Sequence, residues 1–232
     1  MNFPVPSAKT KSASKSASRQ DERRRASDAR MLRAAMAIIA KKGAAGASLA
    51  EIGVAAGFSR GLPAERFGTK LAMLNALMDY MERWFAERLH KAVGGRTGLD
   101  AVRARIDAHI DGFRASPVAT AALYSLFVES LCAIPELQPR TRALSASFHD
   151  GFRAHLGQAK RRGELRTGID CTKMANILVG MLRGLIIQSL LEGDAAQLAA
   201  NRAQIHAFID TGLRKRAEGA EIRAFTPRRR TA

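Results

Sequence analysis

The side chains best suited to chemistry with a partner gather between Ser48 and Lys70, in SLAEIGVAAGFSRGLPAERFGTK. That stretch holds two arginines, Arg60 and Arg66, a lysine, Lys70, and the hydroxyls of Ser48, Ser59 and Thr69. A guanidinium offers a planar fork of donors that fits a phosphate or the edge of guanine, whereas an ammonium or a hydroxyl meets phosphate without reading sequence. Arg60 and Arg66 are therefore candidates for guanine edges or phosphates, and Ser59, Thr69 and Lys70 for phosphates. Ser48 suits a phosphate beside a helix N-terminus. Bond-making chemistry has no comparable cluster: there is no glycine-rich phosphate loop, no Gly-x-Ser-x-Gly and no recognisable carboxylate pair. The five histidines, His90, His109, His149, His155 and His206, are scattered, and Cys132 and Cys171 lie far apart without metal-ligand spacing. No catalytic residue, metal or cofactor is expected, and two isolated cysteines fit a reducing cytosol.

Holding these groups in one array requires short, tightly joined helices. Ser48 can cap a helix while Glu51 reaches back to its amide, with Leu49, Ile52 and Ala56 following at helical spacing. Gly57 supplies the positive φ that leaves this helix, Phe58 plugs the turn, and Ser59 caps a second helix over Arg60 to Arg66, with Pro63 near its start. Two short helices about a glycine turn make a helix-turn-helix, whose second helix reads DNA. Upstream, a helix is expected from a cap at Ser27, with Leu32, Ala35, Met36 and Ile39 on one face and Gly43 at its end. Downstream, Thr69 caps a long helix to about Val93, carrying Leu71, Leu74, Met78, Met81 and Phe85 inward, and Gly94-Gly95 stops it.

Met31-Leu32-Arg33-Ala34-Ala35, Lys42-Gly43, Ala-Gly-Phe-Ser-Arg-Gly at 56–61, Arg-Phe-Gly-Thr-Lys at 66–70 and Leu71-Ala72-Met73-Leu74 together resemble the DNA-binding domain of TetR-type transcriptional regulators, over roughly residues 27–90. The resemblance adds Gly61, Pro63, Ala64 and Phe67 to the DNA-facing candidates. Ala64 departs from the family's usual tyrosine, and Arg66 stands where a histidine is common. It further implies a homodimer on a pseudo-palindromic operator in double-stranded DNA, and repression lifted when a small molecule separates the two reading heads.

The rest of the chain reads as all-α. Hydrophobic residues make up 47% and aromatics only 6%, with few β-branched runs, which favours small-residue helix packing. Helices are expected over Leu99 to Ala115, from Pro117 with Leu123, Leu126, Phe127 and Leu131 inside, over Thr141 to Arg162, over Cys171 to Glu192 and over Ala195 to Arg216. The fourth of these is apolar on more than one face and must be covered. Gly180, Met181, Gly184 and Leu185 with Ile205, Phe208, Ile209 and Gly212 are the dimer candidates by resemblance, while completion of the monomer's own core explains the same residues. Trp84, His109, Phe113, Phe127, Glu129, Phe148, Phe152 and Met174 are the effector-pocket candidates and suit an apolar or amphipathic molecule, although core packing accounts for them too.

The formal charge of +17 points to a polyanion, and its distribution is uneven: +5 over residues 1–25, +4 over 26–91, +3 over 92–212 and +5 over 213–232. The expected division is a disordered basic arm at 1–25, a helix-turn-helix domain at 26–91, a helical effector-binding and dimerisation domain at 92–216 and a basic tail at 217–232. No uninterrupted apolar run reaches the roughly eighteen residues of a membrane span; Ala175 to Leu191 is broken by Asn176, Arg183 and Gln188. A cytoplasmic protein without a membrane partner is expected. Two alternatives stay open, a basic architectural DNA-binding protein without an effector and an enzyme with an unrecognised site.

Overall fold

Nothing between Lys9 and Lys42 breaks a helix: there is no glycine or proline, and alanine, lysine, arginine and glutamine are strong helix formers. In the computed structural model, which describes residues 9–215, this stretch lies in one helix, α1 (Lys9–Gly46), with a non-helical Gly43 at φ 81° near its end. The part of the expected disordered arm from Lys9 to Arg25 is therefore helical, because propensity continues where the hydrophobic period stops; the arm's first eight residues lie outside the described ones. Ser27 is not a cap but an interior residue, its hydroxyl donating to the Arg24 carbonyl at 2.8 Å. After α1 come α2 (Leu49–Ala55), α3 (Leu62–Phe67) and α4 (Lys70–Val93). Thr69 caps α4 as expected, accepting from the Ala72 amide at 3.1 Å, and Gly94 ends it.

The described remainder is helical as well: α5 (Gly98–Ala115), α6 (Pro117–Glu129), a 3-10 turn (Pro135–Leu137), α7 (Gln138–Arg161), α8 (Cys171–Glu192), α9 (Ala195–Ala200) and α10 (Arg202–Leu213). Leu131, expected inside, follows the end of α6 and is 75% exposed. The single last helix expected from Ala195 to Arg216 is instead broken at Asn201. The break lets both Leu198 of α9 and Ile205, Ile209 and Leu213 of α10 reach the interior. Residues 217–232, the expected basic tail, lie outside the described residues.

Two apolar cores result. One joins Met31, Ile39, Ile52, Leu74, Leu77 and Met78 to Ala122, Leu126, Leu137 and Leu144, so α6 and the start of α7 close the core beneath the helix-turn-helix. The other packs Ile106, Ile110 and Phe113 of α5 against Phe152 and Leu156 of α7 and Leu178, Leu182 and Ile186 of α8. α8 is long and apolar enough to cross a bilayer by length and composition, contrary to expectation, yet one face of it is buried in this second core.

Candidate DNA interface and cavity

The helix-turn-helix is built by close approach. A Cβ on Gly53 of α2 would overlap the Ser59 carbonyl oxygen and lie 3.0 Å from Pro63 Cδ, so only glycine lets α3 lie this close. Ser48 caps α2 by accepting from the Glu51 amide at 3.2 Å; the Glu51 carboxylate does not complete the expected reciprocal bond but takes the Lys42 ammonium at 2.5 Å. Gly57 adopts φ +74° as expected. Ser59 is not the cap of the second helix: α3 starts later and is shorter, with Gly61 at its N-cap and no side-chain cap, because the turn itself takes up Ser59 and Arg60.

The expected DNA-facing residues divide by exposure. Ser48, Ser59, Arg60, Gly61, Ala64 and Thr69 are exposed, Phe67 is half-buried and Pro63 is buried. Arg66 turns back onto α1, its Nε 3.2 Å from Asp28 Oδ1 and its Nη2 donating to Ser27 Oγ at 3.1 Å, which leaves its side chain 18% exposed. Lys70 Nζ donates to the Ala45 carbonyl at 2.7 Å. Arg30, unremarked in the sequence, donates to the Ala56 carbonyl at 2.8 Å and lies 4.7 Å over the Phe58 ring, fastening α1 to the end of α2.

Beneath this head, α4 to α8 enclose a cavity of about 90 Å³ with mostly apolar walls. Trp84, His109, Phe113, Phe127, Phe148 and Phe152 line it, as the sequence suggests. Met174 does not, because the middle of α8, from Val179 to Ile186, forms the wall while Met174 sits in that helix's first turn. Glu129 does not either. It lies at the end of α6, where its carboxylate accepts from the Ala44 amide at 2.7 Å, the Ala45 amide at 2.5 Å and Ser125 Oγ at 2.5 Å. Partial burial would raise its pKa, but the Ser125 hydroxyl, the two amides and the Lys70 charge together hold it below the usual carboxylate range. A Cβ at Gly43 would lie 2.7 Å from that carboxylate, so the glycine makes room for the latch.

Of the cavity's polar groups the sequence offers His109 but not Arg183 or Tyr124, although an arginine interrupting the apolar run of α8 is a signal. Arg183 lines the wall, donating to Ser145 Oγ at 3.0 Å and lying 4.9 Å over the Phe127 ring. His109 stacks on Phe152 at 6.0 Å; burial, with the charges of Arg105 and Arg183, pushes its pKa down to about 3 and keeps it neutral at pH 7. Burial raises the Tyr124 phenol to about 12. Arg105, one turn before His109, is 7% exposed, and its guanidinium lies 5.2 Å over Phe152 in a space that a Cβ on Gly151 would fill.

On the far side of α8, Ile177, Ile187 and Leu191 are 55%, 41% and 82% exposed, and Phe208 of α10 is 63% exposed. A Cβ at Gly180, Gly184 or Gly212 would meet open space. Ile205 and Ile209, expected on the same surface, are buried in the protomer's own core, and Met181 and Leu185 are half-buried against it. Ile209 turns inward where the preceding Phe208 turns outward.

The geometry has counterparts in known proteins. Residues 31–77 match the family model described as bacterial regulatory proteins, tetR family, and residues 98–214 match the one described as BetI-type transcriptional repressor, C-terminal. The chain is 25% identical over 193 residues to the probable HTH-type transcriptional regulator ArpR of Pseudomonas putida, covering 80% of this chain and 89% of that protein. It is 24% identical to the HTH-type transcriptional regulator TtgR of a strain of the same species, with the same coverage. Among solved structures, a TetR transcriptional regulator from Chloroflexus aurantiacus superimposes with a TM-score of 0.73 at 22% identity, over 83% of this chain and 98% of that one.

Proposed function

From the premise that the chain belongs to the TetR family of DNA-binding transcriptional regulators, we propose that it is a homodimeric repressor, without catalytic activity, released from its operator by a small apolar or amphipathic effector. The observation that carries this reading is the double duty of α6. Thr120, Tyr124 and Phe127 of that helix line the cavity, and Glu129, at its end, grips the amides of Ala44 and Ala45 where the chain enters the helix-turn-helix. A ligand that moves the cavity wall therefore pulls on the corner that orients the reading head.

In this reading residues 26–91 carry the DNA-binding head and 92–216 the effector-binding and dimerisation domain, with Trp84 and Phe85 of α4 completing the cavity wall. Arg60 is the reader, Ser48, Ser59 and Thr69 meet phosphates, and Arg66 positions the head through Asp28 instead of touching bases. The exposed strip of Ile177, Ile187, Leu191 and Phe208, with the open glycines between, is the seam across which α8 and α10 meet their copies. Two heads on a twofold axis select half-sites about one helical turn apart, or a multiple of it.

Selection of duplexes from a random pool by the purified full chain tests the first half of the reading. A pseudo-palindrome is expected; enrichment of no motif would favour a basic architectural protein. The second half is tested on the selected duplex with apolar compounds that quench Trp84, which lines the cavity. Compounds that quench should also release DNA, and quenching with operator affinity unchanged would leave a DNA-binding protein with a passive cavity.

A further inference from the structure

Two guanidinium groups border the cavity's aromatic wall, and neither has a carboxylate partner among the described residues. Arg183 spends one donor on Ser145 Oγ and leaves the rest of its fork available at the wall. Arg105 lies behind His109 and over Phe152, nearly buried. The acid among the lining residues, Glu82, is already engaged: Arg140 Nη2 binds its Oε2 at 2.5 Å and also takes Asp79 at 2.9 Å. The remaining polar groups of the wall, the His109 ring, the Tyr124 phenol and the Thr120 hydroxyl, are uncharged at neutral pH. His109 Nε2 is buried without a hydrogen-bond partner.

Charge in such a place decides between ligands. A guanidinium buried without a counter-charge, as Arg105 is, is unfavourable; a neutral ligand that excludes water from the half-buried Arg183 creates a second such imbalance, and a cationic one adds repulsion. An anion removes the imbalance and can accept from the open fork, with His109 and Tyr124 as neutral neighbours. Phe127, Phe148, Phe152 and Trp84 supply flat apolar walls for a ring.

Building on the reading of this cavity as the effector site, we infer that its ligand is an aromatic monocarboxylate whose anion lies against Arg183. The identity of the acid is set by shape, but its charge is set by these residues.

The test uses the full chain and its one tryptophan, Trp84, as reporter. The probes are 3-phenylpropanoate, its neutral primary amide, 3-phenylpropylamine and the neutral dye N-phenyl-1-naphthylamine. The dye should bind and quench Trp84, and the carboxylate should displace it at least about tenfold more effectively than the amide, with the amine weakest. Arg183→Gln should erase the preference for the anion and Arg183→Lys should keep most of it, the preference being read in each variant as the ratio of displacement by carboxylate to displacement by amide. Should the glutamine variant fail to fold, the ranking on the wild-type protein decides by itself. Dye binding without displacement by the carboxylate, or equal displacement by amide or amine, overturns the anion inference and leaves the effector-site reading standing. If none of the four probes alters Trp84 emission, that reading falls and takes the inference with it.

Discussion

The reading head and the cavity are both built around arginines, but they treat them in opposite ways. In the head, Arg30 and Arg66 are turned inward and answered, one by the Ala56 carbonyl and the Phe58 ring, the other by Asp28 and Ser27; Arg60 is exposed. In the cavity, Arg105 and Arg183 are turned inward and meet aromatic faces and a hydroxyl, but no described carboxylate. A guanidinium with its donors matched inside the protein is a fastener. One that is exposed, or buried with donors to spare, is available to something not yet bound.

The largest effect that would sharpen this contrast comes from separating the protomers of the proposed dimer, in which heads act in pairs while each cavity lies within one protomer. Gly184→Arg places a charged side chain on the exposed strip of α8, so the chain should sediment as a monomer and lose about a hundredfold or more in operator affinity. Quenching of Trp84 by cavity ligands should persist. A folded variant that stays dimeric and binds operator normally would remove Gly184 from the seam.

Arg60→Ala comes next. As an exposed reader it should lose about 1–3 kcal/mol of operator binding, with melting temperature and dimerisation unchanged. Wild-type affinity in this variant would end the assignment of α3's approach turn as the reader.

Arg66→Ala should do the reverse, lowering stability by about 1–2 kcal/mol, since a partly buried ion pair with Asp28 and the hydrogen bond to Ser27 are lost. Its effect and that of Asp28→Asn should not add in the double variant, whereas two independent sites would.

The smallest effect belongs to Glu129→Gln. The folded carboxyl titrates below its usual range, so its contribution to stability is fully present above the unfolded pKa, about 4.3, and is lost as pH falls through the folded value. The wild type should melt above the variant at pH 7, and the difference should close on acidification below about pH 4. A gap that widened in acid would contradict the latch geometry.

What the sequence made legible was whatever local chemistry decides. Gly57, Thr69, Gly94 and Pro117 mark helix ends because a positive φ, a hydroxyl cap or a missing amide acts within a few residues. α1 starts well before the expected cap because hydrophobic period and helix propensity part company before Ser27, and propensity prevails. The fasteners Arg30 to Ala56, Arg66 to Asp28 and Glu129 to Ala44 join residues distant along the chain, and no local pattern announces them. α10 shows a third limit: its apolar positions make two faces, and periodicity does not say which of Ile209 and Phe208 turns inward.

Gly151 and Arg105 carry a consequence for descent. A β-carbon at 151 would overlap the guanidinium of Arg105 as it lies, so any larger residue there obliges the end of that flexible side chain to swing out of its place over Phe152. Lineages that keep glycine at 151 can hold the charge behind the cavity wall, while those that acquire a side chain there must hold it elsewhere or lose it. The two positions should therefore covary as one inherited character.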